Sequence, residues 1–156
     1  MTSSRHRLLT LSALALLLAA AGCSSTDDAT SVAVPEPPAD QVELCRALDK
    51  ELPKTVAGQN RSELAPKSEL TAGWGDAAIV LRCGVPRPDG MDDPQAKAVE
   101  ADGVNWMLEQ RADGPRFTTT YRKAYVEVTL GQKYAHDVTP LSDFASAIKK
   151  TDPSSL

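Results

Sequence analysis

The chain has 156 residues, and its 17 basic and 21 acidic side chains give a formal net charge of −4. This length fits one domain, because single domains most often run to roughly 100 to 150 residues. The acidic balance disfavours nucleic acid as a partner, and it also disfavours attachment to an anionic lipid surface by charge alone.

Residues 1–22 have the parts of an export signal. A basic head with Arg5 and Arg7 precedes a nearly unbroken apolar run from Leu8 to Ala21. The run is shorter than the ~20 apolar residues that cross a bilayer, so we predict a cleavable signal peptide over residues 1–22. Its removal takes the 17 basic side chains to 15 against 21 acidic ones, a net charge of −6.

The segment Ala20-Ala21-Gly22-Cys23 resembles the lipobox of bacterial lipoproteins. The resemblance implies that the signal is cut before Cys23, that the thiol of Cys23 is diacylated, and that the new N-terminus is often acylated too. Two or three acyl chains hold a protein stably at a membrane, whereas a single chain gives marginal binding. The alternative is an ordinary secreted protein that is cut near Ala19-Ala20-Ala21.

Residues 24–39 are rich in Ser, Thr, Asp and Pro and contain almost no large apolar side chain. Such a composition buries too little apolar surface to fold, so we predict a lipid-anchored disordered tether over residues 23–39. A random coil of this length spans ~20 Å. It would hold a single extracytoplasmic domain, residues 40–156, away from the membrane.

The predicted domain begins with a helix over residues 41–52. Asp40 and Glu43 have the spacing of a capping box, and Pro53 ends the helix. One helical face carries the apolar residues Val42, Cys45, Leu48 and Leu52.

The middle of the chain has the alternation and turn residues of consecutive strands. The apolar run Ala77–Val85 is predicted as a buried central strand, with a partner strand at residues 70–74. The Asp102-Gly103 pair between residues 98–101 and 104–110 is a strong hairpin signal. Further strands are predicted at residues 54–57, 62–64, 117–122 and 125–130.

A second helix is predicted near the C-terminus, with Thr139 as its cap and Pro140 as its first residue. Its apolar face carries Leu141, Phe144, Ala145 and Ile148. We therefore predict an α+β domain in which an antiparallel β-sheet of about five to six strands is packed by an N-terminal and a C-terminal helix.

Cys45 and Cys83 remain as an even pair in an exported chain, so we expect a disulfide between the first helix and the central strand. Closing a loop of this length stabilises a domain by roughly 4 kcal/mol on chain-entropy estimates. A redox-active pair is the less favoured alternative, because catalytic cysteines usually lie close together as Cys-x-x-Cys.

The sequence predicts no catalytic grouping, no metal site and no cofactor. His136 is the only histidine after residue 22 and lies in a polar stretch, which is typical of a solvated loop, and no Gly-x-Ser-x-Gly motif is present. Asp89, Asp92 and Asp93 lack the spacing of an EF-hand loop, so we interpret them as a solvated turn and not as a calcium site.

Trp74 and Asp76 form the candidate binding surface, in a Gly-rich turn before the central strand. Two structural alternatives stay open at this stage. A tryptophan is more often a core residue, and an acidic residue in such a turn is usually there for the turn geometry.

Five further segments, together with the lipobox, carry a resemblance to a known family. They are Leu44-Cys45-Arg46-Ala47-Leu48, Trp74-Gly75-Asp76, Val80 to Pro88, Gly103-Val104-Asn105-Trp106 and Thr118-Thr119-Thr120-Tyr121. With them the chain resembles the small actinobacterial lipoproteins grouped as domain of unknown function 3515, from about Cys45 to Ile148. The resemblance implies an extracytoplasmic lipoprotein of Gram-positive type, with no assigned activity and no functional residues to carry over.

We expect a non-enzymatic binding or accessory lipoprotein of the cell envelope, anchored through Cys23 to the outer face of the cytoplasmic membrane. Its sheet domain would bind an envelope protein or a wall component. The alternative is a small carboxylate-dependent envelope hydrolase or transferase, which requires Asp76 to converge with Asp92 or Asp93. A solute-binding receptor is less favoured, because the chain has no room for two lobes.

Overall fold

Residues 29–156, which a computed structural model describes, form two α-helices and ten β-strands. The helices are α1, Ala39–Glu51, and α2, Ser142–Thr151. The strands are β1 (Thr30–Ser31), β2 (Thr55–Val56), β3 (Gln59–Ser62), β4 (Leu64–Ala65), β5 (Thr71–Trp74), β6 (Ile79–Cys83), β7 (Lys97–Ala101), β8 (Val104–Arg111), β9 (Gly114–Thr119) and β10 (Val126–Leu130). Neither helix in this part of the chain is long and apolar enough to cross a membrane. The predicted signal peptide and Cys23 lie outside the described residues.

Eight of the strands form one antiparallel sheet in the order β2-β3-β5-β6-β10-β9-β8-β7. The strand β10 lies between the hairpin β5–β6 and the meander β7–β9, and so joins them into a continuous sheet. The predicted α+β class with an antiparallel sheet is confirmed. The count of five to six strands is too low, because the short strands β2 and β3 extend the same sheet at one edge.

One face of the sheet, here called the helix face, packs against α1 and α2. Side chains alternate between the two faces of a strand, and Ile79, Leu81 and Cys83 of β6 are buried toward the helices while Val80 and Arg82 are not. The same face carries the buried residues Trp74, Val104, Trp106, Phe117, Val126, Val128 and Leu130. These apolar side chains form the core between the sheet and the two helices.

The predicted disulfide is confirmed between Cys45 of α1 and Cys83 of β6, with 5.5 Å between the two Cα atoms. Both cysteines are buried in the core. The bond spans 38 residues of sequence, for which loop closure stabilises the folded state by roughly 4 kcal/mol. It fixes the first helix to the centre of the sheet.

The helix starts differ from the prediction. The residue before α1 is Pro38, whose carbonyl oxygen accepts hydrogen bonds from the N–H groups of Gln41 and Val42 at 3.0 Å, and no side chain caps the helix. The predicted capping box is therefore wrong. At the C-terminus, a 3-10 turn over Thr139–Leu141 precedes α2, which begins at Ser142.

Residues 30–38, here called the N-terminal arm, lie against the domain. Strand β1 pairs in parallel with β4, and the N–H of Val32 donates to the carbonyl of Ala65 at 2.8 Å. Pro35 is buried, and a Cβ atom on Gly84 would lie only 2.4 Å from Cγ of Pro37. The predicted disordered tether is therefore wrong for the arm, because backbone pairing and proline contacts order it without large apolar side chains.

Candidate functional site

Trp74 belongs to the core and not to a binding surface. Its side chain is fully buried, its ring meets Phe144 edge-on at 5.2 Å, and its Nε1 donates a hydrogen bond to the carbonyl of Pro53 at 3.1 Å. The guanidinium group of Arg61 covers the ring at 4.9 Å. The prediction that Trp74 lines a binding surface is therefore wrong, because the alternation of β5 directs this side chain to the helix face.

Asp76 is exposed in the turn between β5 and β6. Gly75, Asp76 and Ala77 have φ angles of +60°, +53° and +61°, and the N–H of Ala78 donates to the carbonyl of Gly75 at 3.0 Å. Aspartate tolerates this left-handed conformation better than most residues. The structure thus gives Asp76 a role in the turn, and it separates Asp76 from the buried ring of Trp74.

The acidic residues of the hydrolase hypothesis do not converge. Asp76 lies at the β5–β6 turn, whereas Asp92 ends a 3-10 turn whose Gly90 sits over Met107 of β8. The strands β6 and β8 are three inter-strand spacings apart, which is on the order of 15 Å. Paired catalytic carboxylates of glycoside hydrolases lie only about 5 to 10 Å apart.

Other candidate groups are also dispersed. His136 is exposed in a loop, as predicted. Asp89, Asp92 and Asp93 are exposed, and within residues 29–156 no three His, Cys, Asp or Glu side chains lie close enough together to hold a metal ion.

The second face of the sheet, here called the loop face, points away from the helices and carries polar residues. One row of side chains crosses the five adjacent strands β5, β6, β10, β9 and β8. Its members are directly opposite one another in the strand register: Thr71, Arg82, Glu127, Thr118 and Met107. The connection between β6 and β7, residues 84–96, crosses above this row, and a Cβ atom on Gly90 would lie 3.4 Å from Sδ of Met107. The loop therefore covers part of a polar sheet surface.

Two arginines flank one buried carboxylate at the centre of the loop face. Glu127 is 6% exposed, and its Oε1 accepts a hydrogen bond from Nη1 of Arg82 at 3.1 Å. Its Oε2 lies 3.5 Å from Nε of Arg116, which is ion-pair distance without the geometry of a hydrogen bond. The cluster therefore holds two guanidinium groups for one carboxylate.

An open groove of about 490 Å³ borders this cluster. We call it the arginine groove, and its principal lining residues are Arg82, Pro86, Arg87, Glu109, Arg116 and Glu127. Its volume falls within the roughly 300 to 1,000 Å³ of small-molecule sites. The structure thus provides a concave surface where the sequence predicted none.

Arg87 forms one wall of the arginine groove and is held by Asp92, with 2.8 Å between Nη2 and Oδ1. The hydrogen bond to Asp92 raises the pKa of Arg87 and lowers that of the carboxyl. On the other side of the loop, a cavity of about 180 Å³ is lined by Arg87, Met107, Tyr121 and Tyr125. Tyr121 is 55% exposed and has a φ of +58°.

Unpaired polar atoms are concentrated on the loop face. In the part of the chain that the structure describes, six buried side-chain nitrogen or oxygen atoms lack a hydrogen-bond partner. Four of them belong to this face: Nε of Arg82, Nε of Arg116, Oγ1 of Thr71 and Oγ1 of Thr118. An unsatisfied buried group costs roughly 1 to 3 kcal/mol. Such a concentration calls for a physical explanation.

A further cavity of about 460 Å³ lies at the edge of β5, where β3 stops pairing with it. Its charged groups include Arg61, which already pairs with Asp49 at 3.2 Å and covers the ring of Trp74. The arginine groove is the stronger candidate site, because it borders the buried cluster of Arg82, Glu127 and Arg116.

Sequence reasoning missed this site, although part of the signal was present. The predicted apolar face of β10, with Val126 and Val128, already directs Glu127 to the opposite face. Arg82 is likewise at an outward position of β6. What the sequence lacks is the strand order β6-β10-β9, which brings Arg82, Glu127 and Arg116 together.

Comparison with known proteins agrees with the resemblance seen in the sequence. The family described as "Protein of unknown function (DUF3515)" matches residues 8–155, which include every residue of the arginine groove. No curated protein and no solved structure matches the chain. Because the family match spans nearly the whole sequence, the chain belongs to the DUF3515 family.

Proposed function

We propose that this protein is a lipid-anchored binding protein of the cell envelope. Cys23 attaches it to the outer face of the cytoplasmic membrane, and the arginine groove binds an envelope protein or a wall component. The observation that supports this proposal is the groove itself, a concave surface lined by the three arginines Arg82, Arg87 and Arg116. Binding sites commonly combine a concave surface with a few convergent polar groups.

The ordered N-terminal arm lowers the maximum distance between the domain and the membrane, because residues 30–38 no longer belong to the tether. Only a short segment separates Cys23 from Ala29, the first described residue. At ~3.5 Å per residue, this segment reaches about 20 Å when fully extended, so the domain would stand close to the membrane. A ligand of the groove would then lie within or near the membrane-proximal layer of the envelope.

The anchor is tested by the substitution Cys23→Ser in cells that process lipoproteins. We expect the variant to lose its acyl mass and to leave the membrane fraction, because serine offers no thiol for the lipid. Mass spectrometry of the purified chain and fractionation of the cells measure the two effects. Membrane association that is equal for the variant and the parent would contradict the anchor.

The binding face is tested by photocrosslinking in intact cells. A photoreactive amino acid at Asp89, on the lip of the arginine groove, should give a discrete adduct with a partner or wall fragment. The same residue at Lys50 provides the matched control, because Lys50 is exposed on α1 in the helix layer. Equal adduct patterns from the two positions would show that the loop face is not the binding face.

A further inference from the structure

The strand β7 forms a free edge of the sheet. It is the last strand in the sheet order and has β8 as its single neighbour among the described residues. The two-residue turn Asp102-Gly103 follows Ala101, which makes Ala101 part of a hydrogen-bonded pair with β8, and such pairs alternate along antiparallel strands. Ala98 and Glu100 therefore direct their backbone N–H and C=O groups outward, and both residues are exposed.

A pocket opens on the loop face beside this edge. It is the cavity of about 180 Å³ lined in part by Met91, Ala98, Met107, Tyr121 and Tyr125, and we call it the tyrosine pocket. Ala98 is directly opposite Met107 in the β7–β8 register and carries only a methyl group, so the pocket reaches the free edge. Cavities of about 150 Å³ hold a benzene-sized molecule. The tyrosine pocket thus has room for one aromatic side chain.

Tyr121 is held in a backbone conformation that bulky residues disfavour, with a φ of +58°. Its carbonyl accepts a hydrogen bond from the N–H of Ser155 at 3.0 Å, and the next residue, Arg122, pairs with Ser154. Strained residues persist where the surrounding structure holds them, and they cluster at functional sites. The C-terminal residues thus hold an exposed tyrosine beside the pocket, and tyrosine is enriched at protein interfaces.

We propose that β7 and the tyrosine pocket bind an extended segment of a partner protein. The segment pairs antiparallel with β7, and its residue opposite Ala98 places an aromatic side chain in the pocket. Strand addition of this kind takes its affinity from main-chain hydrogen bonds and its specificity from side-chain pockets. Methionine sulfur and tyrosine rings also make favourable contacts with an aromatic ring. This site goes beyond the proposed function, because it uses neither Arg82 nor Arg116 of the arginine groove.

A second copy of this chain does not fit the pocket. When two β7 strands pair antiparallel, residues with outward backbone groups face one another, so an even-numbered residue lies opposite Ala98. The candidates are Ala96, Ala98, Glu100 and Asp102. These side chains are small or acidic, and none would fill a pocket of aromatic size. The N-terminal arm of the chain is already paired with β4. The occupant that fits is a segment of a different protein.

The site can be tested by NMR on the full-length chain in lipid nanodiscs, with ¹³C-labelled methionine methyl groups. Met91 and Met107 line the tyrosine pocket and are the only methionines apart from Met1, so their signals report on it directly. The probe is the peptide acetyl-Thr-Lys-Thr-Phe-Thr-Lys-Thr-amide. We expect saturable shifts of both methyl signals, and an affinity at least about tenfold higher than that of the same peptide with Ala in place of Phe.

Two N-methylated peptides distinguish strand pairing from simple insertion of the ring. Methylation of the Phe nitrogen removes the N–H that donates to the carbonyl of Ala98, so the affinity should fall at least about tenfold. Methylation of the Thr that follows Phe removes an N–H that points away from β7. This second change should leave the affinity within about threefold of its original value.

Tyr121→Gly tests the tyrosine pocket without a loss of folding. Glycine adopts a positive φ without strain, so the urea midpoint should not fall, whereas the affinity for the Phe peptide should drop at least about tenfold. The matched control is Ala57→Gly in the turn between β2 and β3, where φ is +47°, and it should leave the affinity unchanged. Arg116→Gln should also leave it unchanged, because Arg116 lines the arginine groove and not the pocket.

Equal affinities of the Phe and Ala peptides, or methyl shifts that never saturate, would overturn the proposal. Equal affinities of the two N-methylated peptides would also overturn it, because strand pairing requires the N–H of the Phe residue. Methyl shifts that grow with protein concentration in the absence of peptide would assign the edge to a second copy and refute the partner segment. Crosslinking from Asp89 tests the arginine groove separately, so failure of either site can be told from failure of the other.

Discussion

Replacing Asp152 by asparagine should change how the stability of the domain depends on pH. Asp152 follows α2 and is only 1% exposed. Its Oδ1 accepts a hydrogen bond from the N–H of Ala124 at 3.1 Å, whereas its Oδ2 is buried without a partner among the described residues. Burial raises the pKa of this carboxyl from 3.8 to about 6, although the hydrogen bond from Ala124 and the nearby charge of Arg122 partly offset the effect.

The sign of the effect follows from the raised pKa. The folded protein holds the proton of Asp152 more tightly than the unfolded chain, so this contribution to stability is fully present below about pH 3.8 and is lost as the pH rises through about 6. A shift from 3.8 to about 6 corresponds to about 3 kcal/mol at about 1.4 kcal/mol per pH unit. Asparagine keeps the acceptor for Ala124 but does not ionise.

Urea unfolding of the parent and of Asp152→Asn at about pH 4 and about pH 8 measures the difference. From the lower to the higher pH, the unfolding free energy of the variant should rise by about 2 to 3 kcal/mol relative to that of the parent. Both proteins share the other titrating groups, so the contributions of these groups to the unfolding free energy cancel in the difference. A difference in unfolding free energy that is the same at both pH values would refute the assignment of the raised pKa to Asp152.

Two further predictions test how the domain is held together. Gly84→Ala should destabilise the domain by about 1 to 3 kcal/mol and speed hydrogen exchange in residues 30–38. The reason is that Gly84 has a φ of +84° and that the new Cβ would meet Pro37. Unchanged hydrogen exchange would contradict the packing of the arm. Replacing both Cys45 and Cys83 by alanine should lower the unfolding free energy by about 2 to 5 kcal/mol, measured with urea, and an unaffected midpoint would contradict the role of the disulfide.

Local patterns predicted the elements that depend on neighbours in sequence. Val104 and Trp106 flank the polar residue Asn105 and follow Asp102-Gly103, and the β7–β8 hairpin forms there with both side chains buried. The pairing of Cys45 with Cys83 followed from their number and the expected export. Such features depend on turn residues, on the alternation of apolar and polar side chains and on the number of cysteines, all of which can be read from a single sequence.

The arrangement of the candidate site depends on contacts that are distant in sequence. Arg82 and Glu127 are 45 residues apart and meet only because β10 inserts beside β6. The Gly-rich surroundings of Trp74 leave both a core position and a binding surface open, and only the register with Ile79 places its side chain on the helix face. Composition alone does not predict the ordered N-terminal arm. It shows that large apolar side chains are scarce, but it does not show that β1 pairs with β4.

The most direct test of the binding site combines crosslinking with the loss of one arginine. A photoreactive residue at Asp89 is introduced into the parent chain, into Arg116→Gln and into Arg46→Gln, and the adduct formed in intact cells is quantified at equal protein levels. We predict that Arg116→Gln lowers the yield at least about tenfold, because it removes a guanidinium group that lines the groove, and that Arg46→Gln leaves it unchanged. An adduct that forms equally well in all three chains would contradict binding through the arginine groove.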